Sequence, residues 1–142
     1  MHTKNNSQKI FVDTSSFVSL EDNNDPNHTK AIKRASLLHE QKSQLYTSSD
    51  VIAETLTVIS MKLGKKAAKI FYEGYITSGF TEIFVERDLH QEVRKFFLNV
   101  KSKNISFIDC SNVVIMKKHG IAEIFSFDKD FKKLGVKLFG EN

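Results

Sequence analysis

Lys9-Ile10-Phe11-Val12-Asp13-Thr14-Ser15 decides the fold, because an apolar run stops there abruptly at an aspartate and two hydroxyl residues. Three consecutive apolar side chains fit a strand buried on both faces, and Asp-Thr-Ser is helix-start chemistry. The same alternation continues outward. Leu45-Tyr46-Thr47 reads as a second short strand, before a helix opened by Ser48-Ser49-Asp50. In that helix Ile52, Thr55, Leu56, Ile59 and Leu63 recur at helical spacing up to Gly64. A helix over 65–78 and a third strand, Glu82-Ile83-Phe84-Val85, follow. Asp25-Pro26 reads as the cap and first position of an earlier helix, and Asp88-Leu89-His90-Gln91 as a capping-box variant opening a later one. Ile124-Phe125-Ser126-Phe127 and Val136-Lys137-Leu138-Phe139 read as fourth and fifth strands. Ile105-Ser106-Phe107-Ile108 is too short for periodicity to separate a strand from a buried connector, and Asp109 reads as the start of a helix closed at Gly120. Short apolar strands alternating with helices make an α/β fold with a mostly parallel sheet covered on both faces.

Composition narrows the class. At 142 residues the chain fits one domain, assigned to 9–142, with 1–8 read as a flexible tail. A lone cysteine, Cys110, excludes an internal disulfide framework and a Cys-rich zinc module. No apolar run approaches the roughly 20 residues of a membrane span, and the polar start lacks a signal peptide's apolar stretch, so a soluble, cytoplasmic protein is expected. The net charge of +4 permits a polyanionic partner without demanding one.

Ligands of open α/β sheets bind beyond the carboxyl ends of the strands. Asp13, Asp109 and Asp128 each directly follow an apolar run, and Glu54 sits one turn into the helix after the second strand. Any one of the aspartates alone fits a helix cap. Four gathered at one sheet edge repel, at about 4 kcal/mol per pair 4 Å apart in a dielectric near 20, and Lys129 is their only immediate basic neighbour in sequence. A hard divalent cation, Mg²⁺ or Mn²⁺, compensates such a set most simply.

This constellation resembles the PIN-domain family, and within it the VapC-type ribonuclease toxins of toxin–antitoxin pairs. The resemblance spans roughly 9–139 and rests on Phe11-Val12-Asp13-Thr14-Ser15-Ser16, Asp25-Pro26-Asn27-His28, Val51-Ile52-Ala53-Glu54-Thr55, Phe107-Ile108-Asp109-Cys110-Ser111, the stretch 116–121, and Phe125-Ser126-Phe127-Asp128-Lys129-Asp130-Phe131. It implies a three-layer α/β/α domain with a five-stranded parallel sheet in the order 3-2-1-4-5, and a connector rather than a strand before Asp109. It places Asp13, Glu54, Asp109 and Asp128 at the family's acidic positions, with Ser15 and Asp130 auxiliary. Ser126 and Val114 stand where Thr and Ala are common, at positions expected to touch no ligand.

The implied activity is Mg²⁺- or Mn²⁺-dependent hydrolysis of RNA phosphodiesters. Asp13 and Asp109 are the expected direct ligands and Asp128 completes the shell. Glu54 holds a second ion or helps deprotonate water, and the product carries a 5′-phosphate. The implied partners are a small cognate antitoxin and a second copy of the chain in a homodimer, with no membrane. Lys117, Lys118, Lys129 and Lys132, with Lys133, flank two of the proposed ligands and are assigned to RNA phosphates. For Lys62, Lys65, Lys66 and Lys69, a solvated helix face and phosphate contact stand equal.

Rival readings remain open. A non-catalytic RNA-binding or scaffold protein of this fold should have lost acidic residues, and these are intact. A small-ester phosphatase is weakened by Ser15, where an Asp-x-Asp pair would need a second aspartate. An RNA-processing nuclease that is not a toxin fits the same residues. No histidine pair has ligand spacing, and no glycine-rich phosphate loop occurs.

Overall fold

The computed structural model describes residues 7–141. Five parallel strands, β1 (Lys9–Val12), β2 (Gln44–Ser48), β3 (Thr81–Ile83), β4 (Glu123–Phe125) and β5 (Lys137–Leu138), lie in the order β3-β2-β1-β4-β5. This is the PIN-like order that the resemblance implies; the tail assigned to 1–8 lies largely outside the described residues. Phe11 pairs in register with Tyr46 on one side and Ile124 on the other. Successive strand side chains point to opposite faces, so the near-complete burial of Ile10, Phe11 and Val12 (0%, 0% and 2% exposed) means that both faces are covered. No helix among the described residues is long and apolar enough to cross a membrane.

The strand order reverses between β1 and β4. The chain leaves β1 through α1 (Thr14–Glu21) and α2 (His28–Glu40) to reach β2, then through α3 (Ser49–Leu63) and α4 (Lys65–Ile76) to β3. It returns through α5 (Arg87–Asn99) and α6 (Phe107–His119) to place β4 against the free edge of β1. That switch point opens a crevice beyond the carboxyl ends of β1 and β4.

Several helix starts differ from the sequence expectation. Asp25 does not cap α2, which begins at His28 after Asn27. Its Oδ1 instead accepts the Asn27 N–H (2.8 Å) and the Ser19 hydroxyl (3.1 Å), tying the turn to α1. No side-chain cap forms at the start of α5, so the capping box expected at Asp88 is absent there. Asp109 does not open its helix. Ile105, buried against Val93, Cys110 and Val114, anchors the chain, and Ser106 caps α6. Asp109 is the third helical residue, its carboxylate accepting the Ser106 N–H while the Ser106 hydroxyl accepts the Asp109 N–H. The connector reading of 105–108 therefore holds.

The last three strands are shorter than the apolar runs in sequence. β4 ends at Phe125, so Ser126 and Phe127 separate it from Asp128. The Ser126 hydroxyl accepts the Asp128 N–H at 3.1 Å and turns the chain out of the sheet.

The helix start at Ser48-Ser49-Asp50 is as expected: Ser48 is the N-cap of α3, and its hydroxyl accepts the Val51 N–H at 3.1 Å. Ser48→Ala should cost about 1 kcal/mol and lower the melting temperature by a few degrees. Thermal unfolding by circular dichroism checks this, and an unchanged midpoint would contradict the capping role.

Candidate active site

Asp13 directly follows β1 and is 5% exposed, an unusual position for an ionisable group. Donors from three parts of the chain meet it. Asn112 Nδ2, from α6, donates to Oδ1 at 3.0 Å, and the Ser126 hydroxyl, from beyond β4, donates to Oδ2 at 2.9 Å. The Ser15 hydroxyl lies 3.4 Å from Oδ2 and 3.1 Å from Ser126 Oγ. Ser15 Oγ also accepts the Phe127 N–H at 3.0 Å, so the first turn of α1 is fastened to the loop that carries Asp128. Ser126 touches a site carboxylate directly, contrary to the expectation for that position.

Asp13, Ser15, Glu54, Asp109 and Asp128 line one open cleft of about 480 Å³. Each acid reaches it from a different element: Asp13 from the end of β1, Glu54 from α3, Asp109 from α6, and Asp128 from the loop after β4. Asp128 is the cap of a 3₁₀ turn, Lys129–Leu134, and its Oδ1 accepts the Asp130 N–H at 2.9 Å. Burial pushes the Asp13 carboxyl up to about 6; the Ser126 bond opposes this, while Asp109 and Glu54 add to it. Burial also raises Asp109, opposed by Ser106 and reinforced by Asp128 and Glu54. Asp13 and Asp109 are thus each held in the field of neighbouring acids.

The lysines assigned to phosphate contact are placed elsewhere. Lys117 lies over the Phe96 ring, Lys118 pairs with Glu92 at 2.8 Å, and Lys132 pairs with Glu141. Neither they nor the exposed Lys129 line the acidic cleft. Asp130 is outside it as well and pairs with Lys133 at 3.1 Å. Among the described residues the one basic side chain lining the cleft is Lys62.

Asn112 was not anticipated from sequence, although it stands three residues after Asp109 and so on a neighbouring face of the helix. It is fully buried, and its Oδ1 has no hydrogen-bond partner. Cys110 is buried and apolar in setting, and burial pushes its thiol up, so a nucleophile there is not supported.

The donor set of the cleft is carboxylate oxygen, the chemistry of a hard cation rather than a soft one. Among the described residues no group of three or more Asp, Glu, His or Cys side chains is placed so as to hold a metal ion. The fit to a divalent cation is therefore one of donor chemistry and charge.

The PIN domain family model matches residues 10–137. The chain is similar to the 23S rRNA-specific endonuclease VapC20 of Mycobacterium tuberculosis, at 29% identity over 126 residues, covering 89% of this chain and 94% of that protein. It is similar to the ribonuclease VapC1 of Aquifex aeolicus, also at 29% over 126 residues, covering 89% and 85%. The crystal structure of M. tuberculosis VapC20, described as a sarcin–ricin loop cleaving toxin, superposes with a TM-score of 0.81 at 27% identity, over 89% of this chain and 95% of that one. FitAcB from Neisseria gonorrhoeae shares the fold, with a TM-score of 0.62 at 20% identity over 92% and 96%.

The raised Asp13 carboxyl makes a signed expectation for stability. The folded state holds this proton more tightly than the unfolded chain. The contribution of Asp13 to metal-free stability is therefore greatest below pH 4 and is lost as the pH rises through about 6. A gap of that size corresponds to about 3 kcal/mol at neutral pH. Asp13→Asn removes the buried charge and keeps one acceptor, and after a half-turn of the Asn112 amide its NH₂ meets the unpartnered oxygen. In EDTA the variant should be more stable than the parent at pH 7 and equal to it at pH 4. Urea unfolding at both pH values checks this, and a variant less stable at pH 7 would contradict it.

Proposed function

The chain belongs to the PIN-domain family, and from that membership we propose that it is a divalent-metal-dependent endoribonuclease, the toxin of a toxin–antitoxin pair. The observation that carries the proposal is the buried Asp13 carboxylate, held by Asn112 and Ser126 at the head of a cleft shared with Glu54, Asp109 and Asp128. The nuclease names of VapC20 and VapC1 support an RNA substrate, and VapC20 makes ribosomal RNA the substrate class to try first.

In this reading Asp13 and Asp109 hold Mg²⁺ or Mn²⁺ and Asp128 completes the set. A carboxylate offers about four lone-pair positions, so the Asn112 and Ser126 bonds leave Asp13 free to bind a cation while fixing its orientation. When bound, such an ion would make a coordinated water more acidic and would offset charge on the phosphoryl oxygens. Glu54, part-exposed on α3, accepts the proton of the attacking water. Water oxygen bonds to phosphorus as the bond to the ribose 3′-oxygen breaks, and that oxygen takes a proton from solvent, leaving a 3′-hydroxyl and a 5′-phosphate.

The proposal includes a small protein antitoxin and a homodimer. Large apolar side chains stand exposed on α3, α4 and α5, among them Met61 (82%), Ile76 (60%) and Leu98 (80%), and give partners surface to cover. Purification from the native cell should yield a complex with a small protein, whereas a lone monomer would count against this part.

Asp109→Asn tests the chemistry. The amide oxygen still accepts the Ser106 N–H, so the helix start survives, and the loss of one anion relieves repulsion in the cluster. Single-turnover cleavage of a sarcin–ricin loop RNA with Mg²⁺ should fall by at least about 100-fold. The melting temperature in EDTA should stay at or above that of the parent. Near-parental cleavage would remove Asp109 from the mechanism, and a large drop in melting temperature would make it structural.

A further inference from the structure

We infer that Lys62 grips a phosphate of the RNA strand next to the one being cut, and so sets the path of the substrate along α3. The inference rests on the nuclease reading above and names a contact within that site. Glu54, Val58 and Lys62 recur at intervals of four on α3, and all three line the acidic cleft. One face of a single helix therefore carries an acid at one end of the cleft and a cation at the other. Eight residues of helix separate their backbones by about 12 Å, so the two side chains stand at different places along the cleft.

Charge makes the position informative. Asp13, Asp25, Glu54, Asp109 and Asp128 all line this cleft, and Lys62 is its only basic residue among the described residues. A polyanion entering such a cleft is favoured by a cation away from the reacting centre. Lys62 is exposed in the last turn of α3, and none of the ion pairs among the described residues uses it. Its neighbours in the same basic run differ: Lys65 and Lys69 line an apolar groove between α3 and α4 instead. The competing role, an ordinary favourable charge at a helix C-terminus, requires no contact with RNA. Lys62 is thus a positioning residue, whose contact places the strand and fixes its register without taking part in bond breaking.

The test combines binding and cleavage, on the full chain. Lys62→Gln and Lys62→Arg are compared with the parent, with Lys66→Gln as a control for the change in net charge. Binding of a fluorescent single-stranded RNA is measured in EDTA over a series of KCl concentrations. Lys62→Gln should weaken binding about tenfold at low salt and make the salt dependence shallower by about 0.7 in log–log slope, the signature of one lost phosphate contact. Lys62→Arg should keep most of the affinity, and Lys66→Gln should keep the parental slope. In cleavage with Mg²⁺, Lys62→Gln should raise KM with kcat little changed. An unchanged slope and affinity for Lys62→Gln, or an equal effect of Lys66→Gln, would overturn the inference. Loss confined to kcat would overturn it too. Parental protein that binds RNA through Lys62 yet cleaves none would overturn the nuclease reading and leave this contact standing.

Discussion

A carboxylate buried at the end of the central strand constrains the rest of this molecule. An ionised group taken out of water costs several kcal/mol unless its oxygens are bonded, and Asp13 obtains its bonds only from a completed fold. Asn112 arrives on α6 and Ser126 on the loop after β4, each about a hundred residues away in sequence. The strand order that sets β4 beside β1 is what makes this meeting possible. Asp109 and Glu54 then raise the energy of the ionised Asp13, so the cleft is assembled against its own electrostatics. Such a local conflict with stability is expected where chemistry, and not folding, selects the residues.

The hydroxyls convert that buried charge into a positioning device. Ser126 donates to Asp13 and accepts the Asp128 N–H, while Ser15 accepts the Phe127 N–H. Asp128 is therefore held in place by groups that also touch Asp13. Asp109 is held independently, by its reciprocal bonds with Ser106 and by the small apolar cluster under Ile105. Two anchors, one polar and one apolar, bring the acids to one cleft from opposite ends of the sequence.

Much of this was legible in the chain, for identifiable reasons. β1 shows in sequence because its apolar residues are consecutive and end at Asp13, a pattern that only a doubly covered strand needs. The sheet order came from resemblance, since periodicity carries no information on which strands are neighbours. Asp25 and Asp109 misled as helix caps because aspartate satisfies several local geometries, and the bonds that decide among them come from Ser19 and Ser106. The lysines near Asp109 and Asp128 in sequence lie outside the cleft in the fold. Proximity in sequence to Asp109 and Asp128 says nothing about pairing, and Glu92 and Glu141 already engage Lys118 and Lys132. Lys62 carried a usable signal in its eight-residue spacing from Glu54 on one helix. Asn112 carried a weaker one, its helical spacing from Asp109.

The central claim is that the acids of the cleft are a cation site organised around Asp13. Calorimetric titration of Mn²⁺ into the parental protein and into Asp13→Asn, at neutral pH and with no RNA present, tests it most directly. The parent should bind the ion and the variant should bind it at least about tenfold more weakly, since a neutral amide is a poor ligand for a hard cation. Equal affinity in the two proteins, or no binding to the parent, would contradict the claim.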